Sequence, residues 1–233
     1  MKKYFILIVL CTQILTAQER IHKNLGDFNS VKVFSGLQVK LIKSDVQKIE
    51  IKGFQSEAVV VKNVNGLLKL SVSLPKVFDV DGTLVNLYYT KDLDLIDVNE
   101  GAKIRSKDAI NQDFIEIKAQ EGAEVHLKIQ TENIKVKSVS GGVIDLFGTT
   151  KLQTVIVNTG ASYEALDLVS KQATVIAATG GEVEINVSDL LDAKVKLKGF
   201  IYYKSKPKKI IKKVILGGEI LSIKESNSYK VYN

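Results

Sequence analysis

Apolar and polar residues alternate with a period of two along most of the chain, and this alternation predicts β-strands. It is clearest in short stretches such as EVEINV at 182–187 and KVKL at 194–197, where every second side chain is apolar. Each strand then has one buried face and one solvent-facing face. No stretch shows the sustained 3.6-residue period of an amphipathic helix. The pattern therefore predicts an all-β protein.

A glycine followed by a small or apolar residue recurs along the second half of the chain. The first glycines are separated by 21, 19, 19, 20, 19 and 18 residues. The pairs are Gly101-Ala102, Gly122-Ala123, Gly141-Gly142, Gly160-Ala161, Gly180-Gly181, Gly199-Phe200 and Gly217-Gly218. A repeat of this length is too short for a helix-containing unit but accommodates two or three short strands. It predicts a β-helix, or β-solenoid, with a glycine corner in every coil.

Residues at fixed distances from these glycines form columns that would line the interior. Three residues after each first glycine stand Ile104, Val125, Ile144, Tyr163, Val183, Tyr202 and Ile220. Five residues before six of the glycines stand Ile96, Ile117, Val136, Val155, Val175 and Lys194. Because the last of these is charged, we expect the register to slip by one in the last two coils, with Val195 and Leu197 facing inward.

The N-terminal half fits the repeat less regularly. Strands are predicted at 31–34, 39–42 and 49–51, and Asn65-Gly66 and Asp81-Gly82 are expected to form turns. No proline- or serine-rich linker separates this half from the coils. We therefore expect one domain.

The first seventeen residues, MKKYFILIVLCTQILTA, are typical of a secretory signal that is cleaved after Ala17. Cys11 is the sole cysteine and lies in this segment, so the mature chain is expected to have no thiol chemistry or disulfides. The mature domain is predicted to comprise an irregular portion at 18–97, regular coils at 98–220 and a C-terminal cap at 221–233. Once the signal is cleaved, no transmembrane segment is expected.

The formal net charge of +7 is concentrated in two short segments. Lys2 and Lys3 belong to the signal, and six lysines lie in KSKPKKIIKK at 204–213, which leaves −1 for the rest of the chain. A general nucleic-acid-binding surface is therefore not expected.

Several stretches in order resemble one known family. They are FNSVKVFSGLQVKL, VNLYYTKDLDLIDVNEGAKI, the SGG coil at 140–142 and IYYKSKPKKIIKKVILGGEI. Together they resemble the head GIN domain family, secreted proteins of unknown function common in Bacteroidetes and described as auto-transporter adhesins. Lys-Ser-Lys before Pro207, and Phe200, depart from the family pattern. The resemblance, over about 27–220, implies a β-helix-like fold in the periplasm or at the cell envelope, and it brings no catalytic motif.

Four residues after the glycines, a column of outward-facing side chains includes three acids. The column reads Arg105, His126, Asp145, Glu164, Glu184 and Tyr203. Acids on successive coils would lie about 5 Å apart. We favour a solvated ladder neutralised by nearby lysines, and a site for a cation such as calcium or for sugar hydroxyls is the alternative. Paired carboxylates also occur in glycoside hydrolases, but aromatic residues are few and tryptophan is absent.

The lysine run is a second candidate for contact with an anionic surface such as acidic polysaccharide. Its members are Lys204, Lys206, Lys208, Lys209, Lys212 and Lys213. The favoured interpretation is that these lysines, with Pro207, discourage strand pairing at the open end of the solenoid. Ile210 and Ile211 within the run indicate an ordered strand.

The remaining motifs offer little chemistry. The two histidines are His22, expected in a flexible N-terminus, and His126, expected on an exposed strand. No HExxH, EF-hand or GxSxG motif is present, so no catalytic residue, metal or cofactor is expected. The sequence indicates an exported, non-enzymatic binding protein, with polysaccharide or another cell-surface component as partner. A carbohydrate-active enzyme and a self-associating envelope module are the alternatives.

Overall fold

The structure, a computed structural model, describes residues 20–53, 56–73 and 82–224. The predicted signal, with Cys11, and Asp81 of a predicted turn lie outside the described residues. The strands are β1 (Arg20–Asn24), β2 (Ser30–Val33), β3 (Gln38–Lys43), β4 (Lys48–Lys52), β5 (Val59–Val64), β6 (Leu67–Val72), β7 (Leu84–Tyr89), β8 (Leu95–Val98), β9 (Lys103–Ser106), β10 (Ile110–Ala119), β11 (Glu124–Ser138), β12 (Val143–Asn158), β13 (Ser162–Ala178), β14 (Glu182–Lys196), β15 (Gly199–Tyr203), β16 (Lys209–Ile215) and β17 (Gly218–Ser222).

Most strands stack in parallel to form two facing sheets. The front sheet begins with β1, β4, β7, β3 and β9. It continues with the first halves of β11, β12, β13 and β14, and it ends with the whole of β15 and β17. The back sheet runs β5, β6, β2, β8, β10, the second halves of β11 to β14, and β16. This is a β-solenoid of about seven turns, so the predicted fold class is confirmed.

A column of tight turns joins the two sheets along one edge. In the turn at Glu100-Gly101 both central residues have positive φ, 53° and 67°, which defines a type I′ turn. The same pair of positive φ values recurs at Ser35-Gly36, Glu121-Gly122, Ser140-Gly141, Thr159-Gly160, Thr179-Gly180 and Leu216-Gly217. The Gly101 amide donates to the Glu121 carbonyl of the next coil at 2.9 Å, and equivalent bonds continue along the column. The predicted glycine corners are confirmed at these positions.

The prediction was wrong at Gly199, which is not the corner of its coil. There the two turn residues are Leu197 and Lys198, with φ of 47° and 58°, and Gly199 occupies the following position. That position needs glycine because a Cβ at Gly199 would lie 2.5 Å from the Ala177 carbonyl oxygen of the neighbouring coil. Leu197 is consequently 52% exposed, which contradicts its predicted inward position.

The interior between the sheets is filled by the predicted apolar columns. Ile104, Val125, Ile144, Tyr163 and Val183 are all at most 1% exposed. In the next coil, however, Ile201 pairs with Val183 and is fully buried, whereas Tyr202 faces outward. Because the corner lies at 197–198, the inward-facing positions of this coil are shifted by one residue from the predicted ones. The prediction that Tyr202 faces inward was therefore wrong. Val195 faces inward as expected.

The N-terminal end closes the stack with antiparallel strands. The hairpin predicted at Asn65-Gly66 joins β5 and β6, with φ of 51° and 80°. Strands β2 and β3 already stack in parallel on β8 and β9, so regular pairing extends into the portion before residue 98. His22 lies in β1, opposite Glu50 of β4, and not in a flexible terminus as predicted.

Within the described ranges, no helix has the length and apolar character that crossing a bilayer requires.

Candidate functional site

One outward-facing column of the front sheet changes from basic to acidic along the solenoid axis. The strand register places side by side, one per coil, Lys40, Arg105, His126, Asp145, Glu164, Glu184 and Tyr202. Tyr202 stands where the sequence predicted Tyr203, which is 7% exposed and faces inward. The register brings the three predicted acids together on consecutive coils. We call this row of seven residues the front column.

Three adjoining cavities follow the front column and together form a groove. The first, of about 410 Å³, lies over β3, β7, β9 and β11 and includes Arg105, His126 and Val143 in its wall. The second, of about 440 Å³, lies over the acids and extends to Asp167. The third, of about 450 Å³, is lined by Lys40, Arg105, Ser106, Lys107, His126 and Phe147, and we call it the basic cavity. Because His126 lines all three cavities, it marks the middle of the groove.

The acidic part of the groove is connected to its centre by hydrogen bonds. His126 Nδ1 lies 2.6 Å from Asp145 Oδ2, so the histidine and the first acid form a pair across two coils. The Ser162 hydroxyl donates to Glu164 Oε1 at 3.3 Å. In the described part of the chain, no group of three or more His, Cys, Asp or Glu side chains is placed to hold a metal ion. Asp145 and Glu164 line the second cavity, where their carboxylate oxygens can accept hydrogen bonds.

The basic part of the groove contains cations that no described residue neutralises. Lys40 and Arg105 lie directly opposite each other on adjacent strands. Some cations of this sheet have a carboxylate partner, as in the 2.8 Å ion pair between Lys103 and Glu124, whereas the exposed Lys128 of β11 has none among the described residues. Among the described residues neither Lys40, Arg105 nor Lys107 has an ion pair or a side-chain hydrogen bond. Like charges directly opposite each other in a sheet are unfavourable, so this juxtaposition needs an explanation.

Phe147 supplies an aromatic surface between the basic and acidic parts. Its ring centroid lies 5.0 Å from that of His126, with the two planes tilted by 41°. The next residue, Gly148, has φ of +119°, and a Cβ there would overlap the Ile129 carbonyl oxygen. Just beyond, the pairing of β12 with β13 shifts by one residue between Asp145 and Gly148. This local irregularity positions the aromatic ring in the wall of two cavities.

A separate charge cluster on the front sheet is centred on Glu50 of β4. Lys48 Nζ and the Tyr88 hydroxyl each donate to the Glu50 carboxylate at 3.0 Å. The Lys48 hydrogen bond, aided by Tyr88 and opposed by desolvation, lowers the pKa of Glu50 to about 2. His22 Nδ1 lies 3.8 Å from the same carboxylate. Here Lys48 has a carboxylate partner, which no described residue provides to Lys40 or Arg105.

We expect Glu50→Gln to lower stability at neutral pH and to have little effect in acid. Because the pKa of Glu50 is lower in the folded than in the unfolded chain, its contribution is present above the unfolded value of about 4.3. That contribution is lost as the pH falls toward the folded value of about 2. Thermal unfolding of both proteins between neutral pH and acid should show the two midpoints converging. Glu124→Gln, in an exposed ion pair, is the control, and a Glu50→Gln effect independent of pH would contradict the prediction.

Two lysines of the predicted basic run are bound by local acids. Lys204 Nζ lies 3.0 Å from Asp167 Oδ1, and Lys208 Nζ lies 2.8 Å from Asp189 Oδ1. The hydrogen bond from Lys208 lowers the pKa of Asp189. The positive charge of the lysine run is therefore partly neutralised in and beside the loop that precedes β16.

The remaining lysines of the run do not converge on one site. In β16, Lys212 faces inward, where its Nζ donates to the Ile220 carbonyl at 2.9 Å and lies 5.0 Å from the ring centre of Tyr203. Lys209 and Lys213 face outward on the back sheet, and Lys206 is exposed in the preceding loop. The predicted strand at Ile210 and Ile211 is present as β16. The arrangement is that of a charged edge strand.

The groove residues that the sequence analysis did not single out include Lys40, Lys107 and Phe147. Lys40 could have been found, because it lies four residues after Gly36, just as Arg105 lies four residues after Gly101. The turn at Ser35-Gly36 was not counted among the repeats. Phe147 carried the weaker signal of an aromatic residue at an outward position of an alternating strand. Nothing in the sequence indicates that the cations lack partners.

The comparisons with known proteins identify the family. The sequence matches the family model described as "Putative auto-transporter adhesin, head GIN domain" over residues 27–207. The chain belongs to the head GIN domain family. The matched segment of this head GIN domain begins just before β2 and ends before β16, so it contains the whole groove. A search of the curated proteins finds no significant match.

Solved structures with the same fold come from Bacteroides and Parabacteroides species. A protein described as a putative adhesin from Bacteroides fragilis has a TM-score of 0.82 and 17% identity, covering 89% of this chain and 98% of that chain. A second putative adhesin, from Parabacteroides merdae, has a TM-score of 0.68 and 16% identity, covering 88% and 95%. A protein described as a putative lipid binding protein from Parabacteroides distasonis has a TM-score of 0.65 and 20% identity, covering 88% and 96%. At these identities the similarity concerns the fold of the head GIN domain.

Proposed function

We propose that this protein is an exported, non-catalytic adhesin that binds a surface ligand in the groove of its front sheet. The observation that carries the proposal is the run of three adjoining cavities centred on His126. A concave site with a few convergent polar groups and an aromatic wall is typical of ligand binding. The family description as an adhesin supports the same conclusion. Its place of action is the periplasm, the outer-membrane surface or the cell exterior.

The stacked strands are suited to presenting such a site. The side chains of the front column stand on strands that are paired on both sides, so their backbone is held in place by neighbouring coils. Rigid positioning reduces the entropy lost when a ligand binds. The groove also runs along the solenoid axis, so an extended ligand can contact several coils at once.

The proposal is tested by filling the groove. Val143 lines the first cavity, so Val143→Trp should obstruct it, whereas Thr154→Trp on the outward face of the back sheet is the matched control. Beads coated with each protein are passed over glycan-coated, protein-coated and bacterial-envelope surfaces. We expect retention on at least one surface, lost with Val143→Trp and kept with Thr154→Trp. Equal retention of both variants would exclude the groove, and no retention by the unmodified protein would contradict an adhesin.

The same materials distinguish the enzyme alternative. A carbohydrate-active enzyme would release new reducing ends or unsaturated products from the glycans it binds, and an adhesin would not. We expect binding without product release.

The self-associating alternative concerns the end of the solenoid. Within the described residues β16 pairs only with β14, and it carries Lys209, Lys212 and Lys213. Such charges disfavour edge-to-edge pairing with a second copy. Light scattering should therefore show no growth in mass with concentration.

A further inference from the structure

We infer that the ligand of the groove is an anionic glycan, whose carboxylate or sulfate group binds between Lys40 and Arg105 while its sugar ring packs on Phe147. This inference rests on the proposed function and names the class of ligand that the same groove would hold. The geometry of the basic cavity carries it, since the three groups line one cavity of about 450 Å³.

The basic cavity contains a pair of cations that no described residue neutralises. Lys40 and Arg105 are cross-strand neighbours in adjacent coils, where strands lie about 4.8 Å apart. Two cations at this spacing repel each other unless an anion lies near both. Lys107 adds a third positive charge to the same wall. The protein supplies carboxylates to Lys103 and Lys48 on the same sheet but none, among the described residues, to these three.

Arginine gives the site a chemical preference. Its planar guanidinium can donate two parallel hydrogen bonds to a carboxylate or a sulfate, which a lysine cannot do. Arg105 is exposed in the cavity wall, and the inward-facing Ser106 beside it uses its hydroxyl to accept from the Lys128 amide at 3.3 Å. The backbone beneath the guanidinium is therefore fixed while its donors remain available.

The chemical character of the wall changes along the groove. Next to the cations the wall presents His126, then Phe147 and the Asp145 carboxylate two residues apart on β12, and then the Glu164 carboxylate on the following coil. A sugar with an acidic group carries a group to match each of these. Its anion can face the cations, its apolar C–H face can pack on Phe147, and its hydroxyls can donate to the carboxylates. Carboxylates accept hydrogen bonds from the hydroxyls but repel a second anion. The groove therefore fits an anionic group followed by neutral hydroxyls.

The same change of charge disfavours an anionic membrane as the ligand. A bilayer would present negative charge to the whole front sheet, including Asp145, Glu164 and Glu184, on consecutive coils next to the cations. A discrete saccharide can place its anion beside Lys40 and Arg105 alone.

The test uses matched ligands and matched variants. Calorimetric titration compares an oligosaccharide that carries one uronic acid among neutral sugars with its methyl ester, which keeps the sugar chain and removes the charge. The same oligosaccharide with a single sulfate ester in place of the carboxylate distinguishes sulfate from carboxylate, and phosphatidylglycerol vesicles test the lipid surface. The protein variants are Lys40→Gln with Arg105→Gln, and as a control Lys69→Gln with Lys137→Gln. The control removes two exposed back-sheet lysines, so both double variants have the same net charge.

We expect at least one anionic saccharide to bind, and its affinity to fall by about tenfold or more in the Lys40/Arg105 variant. The control should bind within about twofold of the unmodified protein, as expected for distant charges screened by salt. Arg105→Lys, which keeps the charge but loses the paired donors, should give an intermediate affinity.

Several results would overturn the inference. Equal loss in the two double variants would mean diffuse charge attraction, and binding to vesicles but not to the saccharides would mean a lipid surface. Equal binding of the esterified ligand, abolished by Val143→Trp, would refute the anionic specificity but leave the adhesin proposal intact. If no saccharide binds but the protein is retained on a protein-coated surface, the anionic-glycan inference is likewise refuted and the adhesin proposal stays intact.

Discussion

Replacing Gly148 by alanine is expected to destabilise the protein by about 3 kcal/mol. Gly148 has φ of +119°, a conformation that residues with a Cβ rarely adopt. An added Cβ would also overlap the Ile129 carbonyl oxygen, and that atom belongs to the backbone of β11. The carbonyl cannot rotate away without breaking the parallel pairing of β11 with β12. Conformational strain and a steric clash therefore act at the same residue.

A second glycine, in the turn between β11 and β12, separates these two causes. Gly141 has φ of +74°, but a Cβ added there meets nothing within 4 Å. Gly141→Ala should therefore cost only the backbone strain, about 1 kcal/mol. Denaturant unfolding of both variants measures the difference. If Gly148→Ala proves no less stable than Gly141→Ala, the close approach at Ile129 is not a constraint.

Gly148→Ala should also reach the groove, because Phe147 precedes it and lines the basic cavity. If the variant remains folded at low temperature, its affinity for the anionic ligand should fall while that of Gly141→Ala is retained. Comparing the change in ligand affinity with the change in stability would then show whether the irregularity in β12 is needed for binding or only for the fold.

The repeat of glycine corners was sufficient to predict the solenoid. Each corner needs two successive residues with positive φ, and glycine at the second is a strong sequence signal for that conformation. The interior columns follow from the corners by counting, as Ile104, Val125 and Ile144 show. The order of the front column follows in the same way, including the three acids.

Gly199 shows why counting residues from a glycine assigned the wrong side chains to the interior of the coil that follows it. Its glycine is required by the nearby Ala177 carbonyl oxygen, whereas Gly141 is required by its own dihedral angle. Both causes require a glycine, so the sequence does not distinguish them. Counting from Gly199 as if it were a corner therefore predicted Tyr202 to face inward and Tyr203 to face outward. The true corner is occupied by Lys198, with φ of 58°, a residue that gives no signal for a turn.

The basic part of the site was unpredictable for a different reason. Counting from Gly36 would have placed Lys40 beside Arg105, but a repulsive pair becomes informative only when every possible carboxylate partner is known to be elsewhere. That knowledge depends on side-chain positions such as the pairing of Glu124 with Lys103. The acids were found from the sequence because they stand in adjacent regular coils.

Replacing Tyr163 by alanine is expected to cost about 3–5 kcal/mol, because Tyr163 is the largest of the fully buried side chains. The ring fills the interior behind the acidic part of the groove, and its loss leaves a cavity between two rigid sheets. Its hydroxyl donates to Gln153 Oε1 at 2.6 Å, and burial raises the pKa of Tyr163 far above its ordinary value. The phenol therefore stays protonated and continues to donate over the whole working pH range.

Tyr163→Phe isolates the hydrogen bond from the packing of the ring. It should cost about 1–2 kcal/mol, because Gln153 is 2% exposed and its Oε1 would lose its donor. Gln153 Nε2 already lacks a partner within the described structure. Gln153→Met has a similar shape and removes both polar atoms, so adding it to Tyr163→Phe should recover most of the loss. A double-mutant cycle by denaturant unfolding measures this coupling. If Tyr163→Phe costs the same with Met at position 153 as with Gln, the hydrogen bond contributes nothing and only the volume of the ring supports the wall of the groove.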